Sequence, residues 1–370
     1  MKTRLLSLDV FRGATVAAMI LVNNPGSWGH IYPPLEHASW NGCTPTDMIF
    51  PFFIFIVGVS IVFSLQNKKP ETNQHKKLLL KILKRAIILF LLGLLLALFP
   101  AFEFSTVRIP GVLQRISIAF LITSIIFLKT NFRAQFWIFC SLLVLYWLAM
   151  TFIPVPGIGF ANLQPETNLG AWLDRKIITE AHLWKSTKTW DPEGILSTMP
   201  AVSSCLAGTL TAQWLQRKGT TIEKNLLGII SAGVISSIIA LIWDSVFPIN
   251  KSLWTSSYVL YTGGLAAIFF GILYWIIDVQ GRKNWTLPFV AFGLNAITVF
   301  FLSGIIAKSM NNIKVIKGSE EVSLKTFLYE SYFSPYFSEL NASLAWAICF
   351  VSIWFLILWM MYKRNIIIKV

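Results

Sequence analysis

The chain has 370 residues, 55% of them hydrophobic and 13% charged, with a mean hydropathy of +0.65 and a formal net charge of +14. Soluble domains carry about 25% charged residues, so the composition excludes an ordinary soluble protein. Its long uncharged runs also exclude the ~10-residue alternation of a transmembrane β-barrel.

A membrane-crossing helix needs roughly 20 mostly apolar residues. Ten such runs are predicted in this all-α, polytopic chain, near 6–23, 47–65, 83–101, 111–128, 135–153, 195–215, 226–243, 255–277, 286–307 and 341–361. The first follows Lys2 and Arg4, contains Asp9 and Arg12 and has no small-residue cleavage site, so it reads as a retained helix and not a removed signal peptide. An even number of spans puts both termini on one side. With that side cytoplasmic, the inner segments hold nineteen of the 31 Lys and Arg residues, the longer outer segments hold ten, and Arg12 and Arg115 fall inside spans. This is the bias that orients membrane proteins, so the net charge argues for loop placement and against a nucleic-acid partner. The whole chain, 1–370, is one transmembrane domain. Its long outer loops are 24–46, 154–194 and 308–340, and 66–82 is a basic inner loop. Cys140, Cys205 and Cys349 lie in apolar runs and Cys43 is alone outside them, so neither a disulfide framework nor a metal site is expected.

Residues able to do chemistry gather near span ends. Asp9 and Arg12 share one face of the first helix, as a structural pair or with Arg12 facing a phosphate. Asn23, at the outer end of that helix, can donate to a carbonyl oxygen or cap the helix. "LEHASWNGCTPTDMIFPFFIFIVGVSI", residues 35–61, follows. His37 stands ten residues ahead of the second span with Trp40, Asn41 and Asp47 close by. An imidazole near its ordinary pKa takes up and releases protons at neutral pH. Asp47 either caps the second span or orients a histidine or arginine. "PGVLQRI", 110–116, sets Gln114 and Arg115 just inside the fourth span, where a permanent charge needs a carboxylate, carbonyls or a wet cavity. Trp172, Trp184 and Trp190 offer faces for sugar stacking or anchors for the bilayer edge. "DPEGILSTMPA", 191–201, reads as a helix start, with Asp191 as N-cap, Pro192 in the first position and Glu193 in the first turn. Asp244 and Asn295 are candidate cavity liners. By residues alone, this constellation suits a transporter, or an enzyme with donor and acceptor on opposite sides.

"SLDVFRG", "EHASWNGCTPTDMIFPFFIFIVG", "PGVLQRI", "DPEGILST" and "NKSLWTSSYVLYTGG" occur in this order. Together they resemble the heparan-α-glucosaminide N-acetyltransferase family in a short bacterial form, without the extra N-terminal outer domain and additional span of the lysosomal member. The resemblance implies transfer of an acetyl group from cytosolic acetyl-CoA to the amine of a glucosamine-type sugar across the bacterial cytoplasmic (inner) membrane, by a homodimer. It implies that His37, in "HASWNG", is the essential histidine and that Asn23, of the "VN" pair, matches the family's asparagine, with Asp47 as a third catalytic candidate. Arg12, Arg115, Lys81 and Arg85 are then the expected acetyl-CoA contacts, and Trp40, Asn41, Asp191 and Glu193 the expected acceptor contacts. His37 would either deprotonate the attacking amine directly or carry the acetyl group first. An amino-sugar permease and an O-acetyltransferase of a surface glycan remain the alternatives.

Overall fold

The computed structural model describes residues 5–69 and 71–368; Lys2, Arg4 and Lys369, counted above as inner cations, lie outside them. The fold is all-α. Its helices are α1 (Leu6–Asn23), α2 (Ile49–Leu65), α3 (His75–Leu98), α4 (Val112–Lys129), α5 (Phe132–Phe152), α6 (Leu169–Ile177), α7 (Thr198–Leu215), α8 (Ile222–Asp244), α9 (Ser256–Tyr274), α10 (Leu287–Leu294), α11 (Ala296–Asn312), α12 (Leu324–Tyr332) and α13 (Glu339–Lys363). A small antiparallel hairpin, β1 (Lys314–Lys317) and β2 (Glu320–Ser323), joins α11 to α12.

Among the described residues, seven helices are long and apolar enough to cross a membrane, or eight if the bent pair α10–α11 is one span. That is a multi-pass membrane protein with fewer such helices than the ten runs expected. All ten runs do fall on helices, but three differ from a plain span. The first turns of α3 carry Lys76, Lys77, Lys81, Lys84 and Arg85. α7 is as long as α1 and α4 but less apolar, with Thr198, Ser203, Ser204, Thr209 and Thr211 along it. The run at 286–307 breaks at Asn295, where α10 and α11 meet at 79°. Asn295 therefore sits at a break and clasps the C-terminal segment: its amide donates to the Ile366 carbonyl at 3.1 Å and its oxygen accepts from the Ile368 N–H at 2.8 Å. Asp244 is a loop clasp, accepting from the Ile249 N–H at 2.6 Å.

In lipid, apolar surface gives helices little reason to choose one another, so close backbone approach through small residues sets the packing. A Cβ at Gly58 of α2 would lie 1.9 Å from the Cys205 carbonyl oxygen of α7, and one at Gly208 of α7 would lie 2.0 Å from the Phe55 carbonyl oxygen. α1 and α10 cross in the same way through Gly13 and Gly293. α1, α2, α4, α7 and α9 contribute most of the buried core. The loops 24–48, 99–111, 153–197 and 245–255 meet at one end of this bundle, and the basic start of α3 lies at the other.

Gly58→Ala should lower thermal stability by about 1–3 kcal/mol, the usual cost of overpacking. Gly263→Ala, whose nearest neighbour would stand at 3.7 Å, should change it little. Melting curves of the two variants in nanodiscs check the difference.

Candidate active site

The loop before α2 turns on a buried carboxylate. Asp47 is 1% exposed. Its Oδ1 lies 2.7 Å from His37 Nδ1, and its Oδ2 accepts the Ala38 and Thr44 N–H groups, each at 3.0 Å. A carboxylate can only accept, so Nδ1 carries the ring proton and Nε2 keeps the lone pair. The His37 side chain is 51% exposed, so a reactant can reach the ring.

A third charged group comes from far along the chain. Lys251 Nζ stands 3.3 Å from Asp47 Oδ1, and 2.9 and 3.3 Å from His37 Nδ1 and Nε2. With Nδ1 donating to Asp47, the ammonium is left to serve the carboxylate and the Nε2 edge. Burial lowers the Lys251 pKa, against the pull of Asp47 and Glu193. The 249–255 loop is pinned to the histidine loop by main-chain contacts. Gly42 N–H donates to the Ile249 carbonyl at 2.7 Å, and Asn250 Nδ2 donates to Asn41 Oδ1 at 3.1 Å. Gly42 makes that approach at φ +107°, a conformation open to glycine. The Tyr258 hydroxyl of α9 adds a 2.5 Å bond to the Asp47 carbonyl.

Next to this cluster runs an ion-pair network. Arg108 grips Asp191 with two bonds of 2.8 and 2.6 Å and also binds Glu193. Burial works against the guanidinium charge, yet the bonds to Asp191 and the charge of Glu193 hold its pKa above the ordinary arginine value. Arg115, 1% exposed, stacks on Trp254 at 4.9 Å and binds the Gly194 carbonyl at 3.3 Å and the Ser197 hydroxyl. Tertiary capture explains why 191–197 does not begin a helix as its local sequence suggests: the two acids turn to Arg108, and α7 starts only at Thr198. Trp40 bonds the Leu163 carbonyl through its indole N–H at 3.1 Å and meets Trp190 edge-on at 5.1 Å.

The structure thus brings His37 and Asp47 together, with Asn41 beside them through Asn250. Asp191 and Glu193 sit next to this cluster but are held by Arg108, so they form a wall of the site and are not free contacts. Asn23 lines a separate cavity that includes Lys308 and Lys325. The expected acetyl-CoA contacts do not converge. Arg115 is buried at the His37 end. Arg12 is held in the bundle by Asp9 at 3.1 Å and Ser60 at 2.8 Å. Lys81 and Arg85 are exposed in the basic half of α3 at the opposite end. Sequence reasoning gave no role to Lys251 or Arg108. "NKSLW" contains Lys251, and Arg108 precedes "PGVLQRI", but a lone loop cation carries no local sign of its partner.

The catalytic family described as heparan-alpha-glucosaminide N-acetyltransferase, catalytic, matches residues 4–242, more than half of the chain. The chain belongs to this family. It is 28% identical over 349 residues to the mouse heparan-alpha-glucosaminide N-acetyltransferase, covering 80% of this chain and 53% of that protein. To the human heparan-alpha-glucosaminide N-acetyltransferase it is 28% identical over 426 residues, covering 99% of this chain and 60% of that protein. The chain therefore spans a little over half the length of these relatives. Lys251 lies beyond the segment matched by the family but within the reach of the human comparison.

Asp174 gives this end of the protein a pH signature. Buried, and accepting the Ile195 N–H at 2.8 Å, it has a pKa pushed up by burial to about 7. A carboxyl whose folded pKa exceeds its unfolded value holds extra protons in the fold, so stability falls as pH rises from about 4 through 7. Asp174→Asn should raise the melting temperature at pH 8 and have little effect at pH 4. An equal shift at both would contradict it.

Proposed function

We propose that this protein transfers the acetyl group of acetyl-CoA to the amine of a glucosamine-type sugar, with His37 as general base. The observation that carries the reading is the 2.7 Å His37–Asp47 pair, with a half-exposed imidazole, in a chain of the N-acetyltransferase family. Asp47 fixes the Nδ1–H tautomer and balances the imidazolium that forms, the division of labour seen in other carboxylate–histidine catalysts. The acceptor amine takes the place of Lys251 at Nε2 and attacks the thioester carbonyl. Nε2 accepts the amine proton as the C–N bond forms. The tetrahedral oxygen takes up the negative charge, which the displaced Lys251 ammonium stabilises. Collapse breaks the C–S bond, and the imidazolium returns its proton to the CoA thiolate.

The donor's phosphates are assigned to the exposed cations of α3, Lys81 and Arg85, at the end of the bundle opposite His37. A slim pantetheine arm then reaches through the bundle with Arg12 along its course. Arg115 is left holding the 194–197 turn that supports the site. In this reading the His37 end faces outward from the bacterial inner membrane, Trp40 and Trp190 border the acceptor, and the protein works as a homodimer.

The test supplies acetyl-CoA and glucosamine to the protein in nanodiscs and follows CoA and N-acetylglucosamine by mass spectrometry. Equal amounts of both products are expected, with turnover falling about 10²–10⁴-fold in His37→Ala. Sugar movement across sealed vesicles without CoA release would favour a permease, and near-normal turnover in His37→Ala would overturn the mechanism. Lys251→Met should lower kcat about 10²–10³-fold, the cost of losing one oxyanion donor, with KM for acetyl-CoA little changed and Lys251→Arg partly active.

A further inference from the structure

α8 packs closely on α9: a Cβ at Gly233 would lie 2.7 Å from the Gly264 carbonyl oxygen. Toward α5 and α7 it leaves a groove of about 710 Å³, floored by α9. Four of the lining residues, Phe136, Val144, Ile235 and Ile239, are exposed, so the groove opens to the side of the bundle. Its wall is apolar. The two hydroxyls on it, Thr211 and Ser236, turn to carbonyl oxygens, those of Ala207 at 2.9 Å and Leu260 at 2.8 Å. Neither is left to greet a sugar. Along α8 the groove runs from Gly228 to Trp243, about 22 Å at ~1.5 Å per residue. That is more than half of the ~30 Å hydrocarbon core and suits one extended acyl chain.

One end of the groove is basic. α5 begins, α7 ends and α8 begins at the end of the bundle opposite His37. Segments 129–133 and 217–224 hold Lys129, Arg133, Arg217, Lys218 and Lys224 against a single acid, Glu223. The apolar stripes lead to these cations. Arg133 lies three residues before Phe136 and Lys224 four before Gly228, so each shares a helix face with a groove residue. The Arg217 guanidinium sits 5.2 Å from the centre of the Trp214 ring, which borders the groove. Among the described residues, Arg133, Arg217 and Lys224 have no ion-pair partner. The basic end lacks an anion, and the apolar length lacks a chain to fill it.

We infer that this groove holds an anionic phospholipid, with an acyl chain between α5 and α8 and its phosphate among Arg133, Arg217 and Lys224. A zwitterionic lipid fills the groove but brings a further cation to the cluster. A second copy of the chain is a poorer occupant. A two-fold partner in the same membrane presents the same concave face, which fills nothing, and sets its own cations against these. No residue assigned to acetyl transfer lines the groove.

Native mass spectrometry of the intact protein in dodecyl maltoside tests this, with equimolar phosphatidylglycerol or phosphatidylcholine added. Phosphatidylglycerol should be retained at least about fivefold more than phosphatidylcholine. Arg217→Gln should remove about fivefold, the worth of one cation beside an anionic headgroup, and leave phosphatidylcholine unchanged. Lys224→Gln, at an exposed position, should do the same and serves if Arg217→Gln melts early. Ala232→Phe, which fills the groove beside Ile235, should lower retention of both lipids. Equal retention of the two lipids, or unchanged retention in the folded variants, would overturn the site. Displacement of phosphatidylglycerol by millimolar coenzyme A or inorganic phosphate would give the cations to a free anion. A dimer that Ala232→Phe splits without loss of lipid would give the groove to a second copy. Either result overturns the assignment to lipid.

Discussion

A carboxylate taken out of water must be met by donors on every side or it will not stay charged. Asp47 is the group on which this end of the protein depends. Five donors meet it: the His37 ring, the Ala38 and Thr44 main-chain N–H groups, the Thr44 hydroxyl and the Lys251 ammonium. Satisfying it folds the histidine loop over the start of α2 and draws in the loop before α9. The same contacts decide which imidazole nitrogen is protonated, so a requirement of folding also sets the chemistry of the site.

Around that point the protein gathers its other charges into one set. Asp191 and Glu193 are bonded by Arg108 beside the His37 cluster and feel the charge of Arg115, which stacks on Trp254 and binds Gly194 and Ser197. What stays available is therefore small: one ring nitrogen, one ammonium that can change partner, and a border of tryptophans. The bundle beneath is held by backbone approaches through glycines, which give a rigid floor without calling on polar groups. Rigid support of this kind is what a proton-transferring pair needs, because misplacement by about 1 Å can cost 10²-fold in rate.

Much of this was legible in the sequence, for physical reasons that differ from place to place. Long apolar runs announce helices because the backbone has no other way to satisfy itself in lipid, so every expected run falls on a helix. The break at Asn295 was invisible, since one asparagine in an apolar run changes neither hydropathy nor period, and its partner, the segment at Ile366, lies far along the chain. The "DPEG" segment misled because local capping signals were overruled by an arginine 83 residues away. His37 and Asp47 could be considered together because only ten residues separate them on one loop. Lys251, 214 residues from His37, had no local signal at all and emerges only from the fold. Asn23, matched to the family by its "VN" pair, lies in the wall of a neighbouring cavity, and sequence alone gave no sign of that placement.

The central claim is that Asp47 holds His37 in the Nδ1–H form, with Nε2 free to take a proton. Nitrogen-15 NMR of the His37 ring measures this most directly, in protein whose three other histidines, His30, His75 and His182, are replaced by glutamine. A neutral ring protonated on Nδ1 is predicted at pH 8, with Asp47→Asn shifting the population toward the other tautomer. A ring protonated on Nε2 in the unaltered site, or a tautomer indifferent to Asp47→Asn, would contradict the account.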